Sequence, residues 1–394
     1  MKKININMNK VNINRLKSDI SQICDDISLI EIDLDDATSY IIDILSNIYD
    51  KKERYDYLFR PYIRQLIAEK LRHKYALHYN NFLVKDRSAT VEYLKTLPQY
   101  EQRTKDWYDQ RINTIGASES ACIFGMGYNN NVDSLILKKI PGYKDESSNN
   151  FMMKNACRHG TMCEPIVQNL YELKNNIKLY EFGSLIHKNY NMISASPDGI
   201  TETGTMLEIK VPLRRNIIGV PTSYYWVQMQ QQMQVCGLDR VHFLECKISI
   251  YDSRDSYKRD HTGDKDSLLS SNGLHKGVLI TYINTITDDE GYLHPDKFLK
   301  PSEINQWVSE KKKELELSPD KQFHSETYWK LEQYVLTEVW RDENWWQKNK
   351  HLYVELWDKV LKYRKGGFQE LLPKKKTYSK SIIQKPCLIL SDDD

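Results

Sequence analysis

A chain of 394 residues is long enough for two or three domains, or for one core domain with large additions. Its 28% charged and 40% hydrophobic residues are the balance of a soluble globular protein, and a formal net charge of +2 excludes a global polycation, so a nucleic-acid surface has to be a local patch. No run of about 18 apolar residues argues for a membrane span, and the polar start MKKININMNK has no apolar stretch of the kind a secretory signal needs.

Residues 1–100 are expected to form a helical accessory region. From Ile13 to Ile48, apolar residues recur at mixed three- and four-residue spacing, and the acidic run Glu31 to Asp36 suits the start of a helix near Ala37. Pro61 opens a second helix made basic by Arg60, Arg64, Arg72, His73 and Lys74. A solvated face over buried Tyr62, Leu66 and Leu77 is favoured there over a DNA-facing one. The seven cysteines, Cys24, Cys122, Cys157, Cys163, Cys236, Cys246 and Cys387, include no C-x-x-C pair. That predicts reduced thiols and an intracellular, soluble protein, and it argues against a zinc ribbon or an iron–sulfur cluster.

Pro98 to Arg103 has the character of a linker, and a core is expected over 101–300. Thr104 is placed to cap a helix through Arg111. After it comes Ile115-Gly116-Ala117-Ser118-Glu119-Ser120. Here Gly116 permits a sharp turn, Ser118 can cap the next helix, and a nearby Arg gives the makings of a phosphate pocket. Thr161 with Glu164 fits a capping box opening another helix; the sharper reading of Glu164 is a carboxylate presented toward the strands downstream. Two strand-like segments, Tyr180–His187 and Met192–Ala195, lead to Ser196-Pro197-Asp198-Gly199.

Met206-Leu207-Glu208-Ile209-Lys210 is the stretch on which the chemistry converges. Side chains two apart on a strand share a face, so Glu208 and Lys210 point one way while Leu207 and Ile209 point into the core. A hairpin turning over Thr201–Thr205 puts Asp198, at the end of the first strand, near that polar pair. Two carboxylates and an ammonium on an apolar β element call for a cation, and hard oxygen donors suit Mg²⁺ or Mn²⁺. Arg214 and Arg215 come next. A glutamine-rich helix then runs from Tyr224 to Val235, in which Gln231, Gln232 and Gln234 can be read equally as an exposed polar stripe. Val241–Ile248 and Gly277–Ile283 are strand-like, and the polar stretch 251–275 is expected to be a surface insertion or mobile loop. Ser302–Lys365 has a helical pattern with many tryptophans, giving a helical extension at 301–366 and a tail at 367–394.

Asp198 followed by Glu208-x-Lys210 has the spacing of the PD-(D/E)xK nucleases. Arg111 with IGASES, then RHGTMCEP, SASPDG, LEIK and YWVQMQQQMQV, occur in an order that resembles the lambda exonuclease or YqaJ-like viral recombinase group within that superfamily. The resemblance covers about 104–250. It implies an α/β (α+β) fold, a restriction-endonuclease-like central mixed β-sheet flanked by helices, with the N- and C-terminal parts as helical additions. It implies that Asp198, Glu208 and the carbonyl of Ile209 hold Mg²⁺ or Mn²⁺, and that Glu164 with Asp198 holds a second ion. Lys210 would position or deprotonate the attacking water, its pKa lowered by the metal and by burial, with electrostatic stabilisation as the rival role. Arg111, Ser118 and Ser196 would bind a 5′-terminal phosphate, with Gln228 also on the DNA-binding side of the site. Of Gln228 and Gln230, Gln230 is the choice for contact with the water or scissile phosphate. The implied function is a metal-dependent 5′-to-3′ exonuclease on linear double-stranded DNA ends that leaves 3′ single strands. The alternatives are a structure-specific endonuclease on the same core and a non-catalytic DNA-binding scaffold. The implied partners are DNA ends, a single-strand annealing protein and further copies of the chain. The Asn/Ile/Lys-rich start and the viral character of the group suggest a large DNA virus or a phage, which would place the protein in host cytoplasm or at the site of viral DNA replication.

Overall fold

The computed structural model describes residues 86–100, 104–126, 131–143, 151–217 and 219–372, together with Ser18, Ile20, Gln22 and Ile44. The expectations for helices before residue 86, and for the tail beyond 372, lie outside the described residues. In chain order the elements are α1 (Ser88–Thr96), α2 (Lys105–Ile112), β1 (Ile115–Gly116), a 3-10 helix (Ala117–Phe124), α3 (Val132–Lys138) and α4 (Phe151–Asn175). Then come β2 (Leu179–Tyr180), β3 (Leu185–His187), β4 (Tyr190–Ala195), β5 (Gly199–Thr201), β6 (Thr205–Lys210) and α5 (Ser223–Cys236). The remainder is β7 (Arg240–Ile250), α6 (Arg254–Arg259), β8 (Lys276–Asn284), β9 (Glu290–Leu293), α7 (Ile304–Glu316), β10 (Lys321–Trp340) and α8 (Glu343–Gly366).

A mixed sheet in the order β2-β5-β6-β7-β10-β8-β9 forms the centre, and a smaller sheet, β1-β4-β3, stands beside it. β6 and β7 pair in parallel, Glu208 opposite Phe243 and Lys210 opposite Glu245. Parallel neighbours need a crossover, and α5 supplies it. Thr222 caps α5 by accepting the Tyr225 N–H, and Gly237 ends it in the left-handed region at φ 65°. Helices cover both faces of the parallel pair, so its strands read as nearly continuous apolar runs. Leu207, Ile209, Leu244 and Cys246 pack with Ile166, Val167 and Leu170 of α4. Met206, Val241 and Phe243 pack with Val227, Met229 and Met233 of α5. Against this background Glu208 and Glu245, both fully buried, are conspicuous.

Three local expectations change. The helical pattern across 302–365 is broken by β10, which pairs antiparallel with β8 through its first half and with β7 through its second. Its Phe, Tyr, Trp, Thr and Val residues are strand formers, and the tryptophans assigned to a helical layer divide between β10 (Trp329, Trp340) and helices. A boundary at 300 would therefore cut the central sheet. Trp329 lies opposite Gly277; a Cβ on Gly277 would sit 2.7 Å from the indole ring, so the glycine is what allows the ring to lie against the β8 backbone. Second, Thr161 and Glu164 lie in the middle of α4, a continuous 25-residue helix, and form no N-terminal capping box. Third, part of 251–275 is built into the core: Tyr257 of α6 is buried, and Lys276 donates to the Tyr257 and Asp260 carbonyls at 2.9 and 2.5 Å. Among the described residues, no helix is long and apolar enough to cross a membrane.

Candidate active site

The site forms where the chain leaves the small sheet for the large one. β4 ends at Ala195, and β5 begins at Gly199, paired with Leu207 of β6. Asp198 thus lies in the crossing between the sheets, not at the end of a hairpin strand. Its Oδ2 accepts the Ile209 N–H at 2.6 Å, and Gln168 of α4 donates to its carbonyl at 2.8 Å. These two bonds fix the crossing against β6 and α4.

Glu208 and Lys210 share a face of β6, as the alternation requires, and they touch: the Lys210 ammonium donates to Glu208 Oε1. The same oxygen accepts from Gln228 Nε2 at 2.6 Å, and Oε2 accepts from Gln232 Nε2 at 2.6 Å. A buried carboxylate is tolerated only when its oxygens are satisfied, and α5 satisfies both. Gln228 and Gln232 are four residues apart and therefore on one helix face. Gln230 faces elsewhere: it donates to the Trp340 carbonyl at 2.8 Å and accepts the Asp342 N–H at 2.7 Å. The assignment of Gln230 to the chemistry is corrected, and Gln232, which the sequence equally allows as part of an exposed stripe, takes a place at the site. Four-residue spacing from Gln228 is the signal that could have found it. Gln231 is buried too and donates to Ile115 and Ser194 carbonyls, both at 2.8 Å, which ties β1 and β4 to α5.

A cleft of about 180 Å³ is lined by Asp198, Glu208, Lys210, Gln228 and Gln232 together with Arg111, Ser118 and Ser196. Arg111 reaches it from the end of α2, its guanidinium 4.6 Å from the Trp107 ring centroid. Ser118 is exposed but does not cap the 3-10 helix; Gly116 precedes that helix, and Glu119 Oε2 accepts the Gly116 N–H at 2.9 Å. Glu164 does not line the cleft, though its charge acts on Asp198 from α4.

Burial, then Glu208, then Glu164 push the Asp198 carboxyl well above the usual carboxylate range. The lowered pKa expected of Lys210 belongs to a metal-bound site, and without a cation the balance is different. Burial, its largest single influence, pulls its pKa down, but the Glu208 and Asp198 carboxylates outweigh it and the net direction is up. While no cation occupies the cleft, the carboxylates favour the ammonium form of Lys210.

The donor set suits a hard divalent ion: two carboxylates in one cleft, with a third close enough to be felt, repel one another until a cation joins them. They are not already drawn about a single point, since among the described residues no three Asp, Glu, His or Cys side chains form a ready metal cage.

Residues 106–239 match the YqaJ-like viral recombinase domain. An uncharacterised protein of Acanthamoeba polyphaga mimivirus is 28% identical over 310 residues, which are 71% of this chain and 56% of the relative; the chain thus spans little more than half the length of the curated relative it matches. Among solved structures, an alkaline exonuclease (LHK-Exo) from Laribacter hongkongensis is 17% identical, with 68% of this chain and 96% of that one covered and a TM-score of 0.39. A phage-related exonuclease from Haemophilus somnus is 10% identical, with 72% and 97% covered and a TM-score of 0.28.

Proposed function

We propose, taking residues 106–239 as a member of the YqaJ-like viral recombinase domain family, that the chain is a metal-dependent deoxyribonuclease. It degrades linear double-stranded DNA from 5′ ends and leaves 3′ single strands for recombination or repair. The observation that supports this reading most directly is the convergence of Asp198, Glu208 and Lys210 with Arg111, Ser118 and Ser196 about one cleft.

Each residue has a part that follows from its chemistry. Asp198 and Glu208, with the Ile209 carbonyl, are the donors for Mg²⁺ or Mn²⁺, and Glu164 with Asp198 is the donor pair for a second ion. Such ions, when bound, supply activation of water and neutralisation of charge on the phosphate. Gln228 and Gln232 hold both Glu208 oxygens in place. Lys210, beside Glu208 in the cleft, positions or deprotonates the attacking water, or as an ammonium stabilises negative charge developing on the scissile phosphate. Arg111, a planar fork of donors in the lining of the cleft, suits a terminal phosphate, and the Ser118 and Ser196 hydroxyls can donate to the same group.

The deciding experiment uses end-labelled linear duplex, with and without a 5′-phosphate, in Mg²⁺ or in EDTA. Shortening from the 5′ end, dependent on Mg²⁺ and faster on phosphorylated ends, is expected, and Arg111→Ala should abolish the end preference. Cutting of closed circular duplex would favour an endonuclease instead. Binding without cleavage in Mg²⁺ and in Mn²⁺ would favour a DNA-binding scaffold.

A further inference from the structure

Arg111 stands beside an acid that could disable it. Glu119 Oε1 lies 3.7 Å from the Arg111 guanidinium, beyond a hydrogen bond but well within reach of an ion pair. What keeps that carboxylate occupied is Lys139, just past the end of α3. Lys139 is 1% exposed. Its ammonium donates to Glu119 Oε2 at 2.6 Å and to the main-chain carbonyl of Arg111 at 2.8 Å. One buried cation therefore holds both the backbone of Arg111 and the acid facing its side chain.

The far end of the chain closes this arrangement. Arg364, in the last turn of α8, donates to the Lys139 carbonyl at 2.9 Å from Nε and 2.7 Å from Nη2. The same guanidinium reaches the Ile112 carbonyl at 2.7 Å and Asn113 Oδ1 at 3.1 Å. The end of α2 and the end of α3 are thus joined through α8.

We propose that Glu119 and Lys139 form a positioning pair that sets the specificity of the cleft for phosphorylated ends. Lys139 neutralises Glu119, so the guanidinium of Arg111 is left one net positive charge to offer a terminal phosphate. Without Lys139, Glu119 and Arg111 neutralise each other, and the fork is drawn out of the cleft. This inference rests on the phosphate-binding role proposed for Arg111 and adds to it the two residues that keep that role available.

The test is binding of fluorescent duplexes with a 5′-phosphate or a 5′-hydroxyl, read by anisotropy in EDTA, on the full chain and on variants checked by thermal melting. Lys139→Met is expected to lower the preference for the phosphorylated end by about tenfold, towards that of Arg111→Ala. The double variant Glu119→Gln with Lys139→Met removes both charges and should restore most of the preference, which a purely structural role would not do. Should Lys139→Met fail to fold, the double variant, with no buried charge left uncompensated, carries the test. Preference retained in Lys139→Met, or not regained in the folded double variant, overturns the positioning pair while leaving the role of Arg111 intact. No preference in the wild-type protein overturns the phosphate-pocket reading and this inference with it.

Discussion

Gln232 donates from Nε2 to Oε2 of Glu208 at 2.6 Å, across from Gln228 on the other oxygen, so one face of α5 clamps a fully buried carboxylate. Removing a partner that orients a metal-ligating group typically costs about 10–100-fold in metal affinity or activity. Gln232→Ala should reduce Mg²⁺-dependent cleavage by about 10–100-fold and shift the Mg²⁺ titration to higher concentration. Gln230→Ala should leave cleavage near wild type and lower the melting temperature, because its amide joins α5 to the β10–α8 junction. Equal losses of cleavage in the two variants would refute the assignment.

Asp198 sits among like charges, and burial with Glu208 and Glu164 disfavours its ionised form while no cation is bound. Asn keeps an oxygen for the Ile209 N–H and removes the charge. In EDTA, Asp198→Asn should raise the melting temperature by about 1 °C, corresponding to roughly 1 kcal/mol in a chain of this size. Added Mg²⁺ should stabilise the wild-type protein and leave the variant unchanged. A variant that melts lower than wild type in EDTA would show that repulsion is not what dominates the crossing.

The contact between Trp329 and Gly277 should be one of the costlier ones to disturb. Trp329→Ala empties a buried indole site in the central sheet and is expected to cost about 3–5 kcal/mol in urea unfolding. Gly277→Ala forces a methyl against the same ring and should cost about 1–3 kcal/mol. Combined, the two should cost less than their sum, since removing the ring makes room for the methyl.

Thiol reactivity should separate four of the described cysteines cleanly. Burial pushes the Cys163, Cys236 and Cys246 thiols up to about 12, whereas Cys157 is exposed on α4. Native protein treated with iodoacetamide at pH 8 should be alkylated at Cys157 and spared at the other three, as read by peptide mass spectrometry. Alkylation of Cys163 at a rate matching Cys157 would mean that α4 opens locally.

Much of the site is readable in the sequence wherever its determinants are local. The alternation of Leu207, Glu208, Ile209 and Lys210 puts the acid and the ammonium on one face of a strand, and the structure has them touching. The Thr104 cap follows from a hydroxyl placed before a helical run, and Thr104 Oγ1 accepts the Trp107 N–H at 3.4 Å. The order of motifs over 104–250 points to the segment that matches the YqaJ-like viral recombinase domain, because each motif is a short local pattern.

Features that stayed out of reach depend on partners distant in the chain. Which glutamine serves Glu208 is settled by Gln230 finding the Trp340 carbonyl, 110 residues away. β10 carries strand-forming residues, but it lies between two helical runs, and what makes it a strand is pairing with β7 and β8, which are distant in the chain. Asp198 looks like the end of a hairpin strand, and the placement of β4 and β5 in separate sheets makes it a crossing. The charge of Lys210 cannot be read at all from its residue type, since burial and two carboxylates act on it in opposite directions. The sequence by itself determined which acids, amides and cations are present and which of them share a strand face. Tertiary structure alone decided which of them meet and in what charge state, because hydrogen bonds and Coulomb interactions depend on distance and burial, and neither is set by separation along the chain.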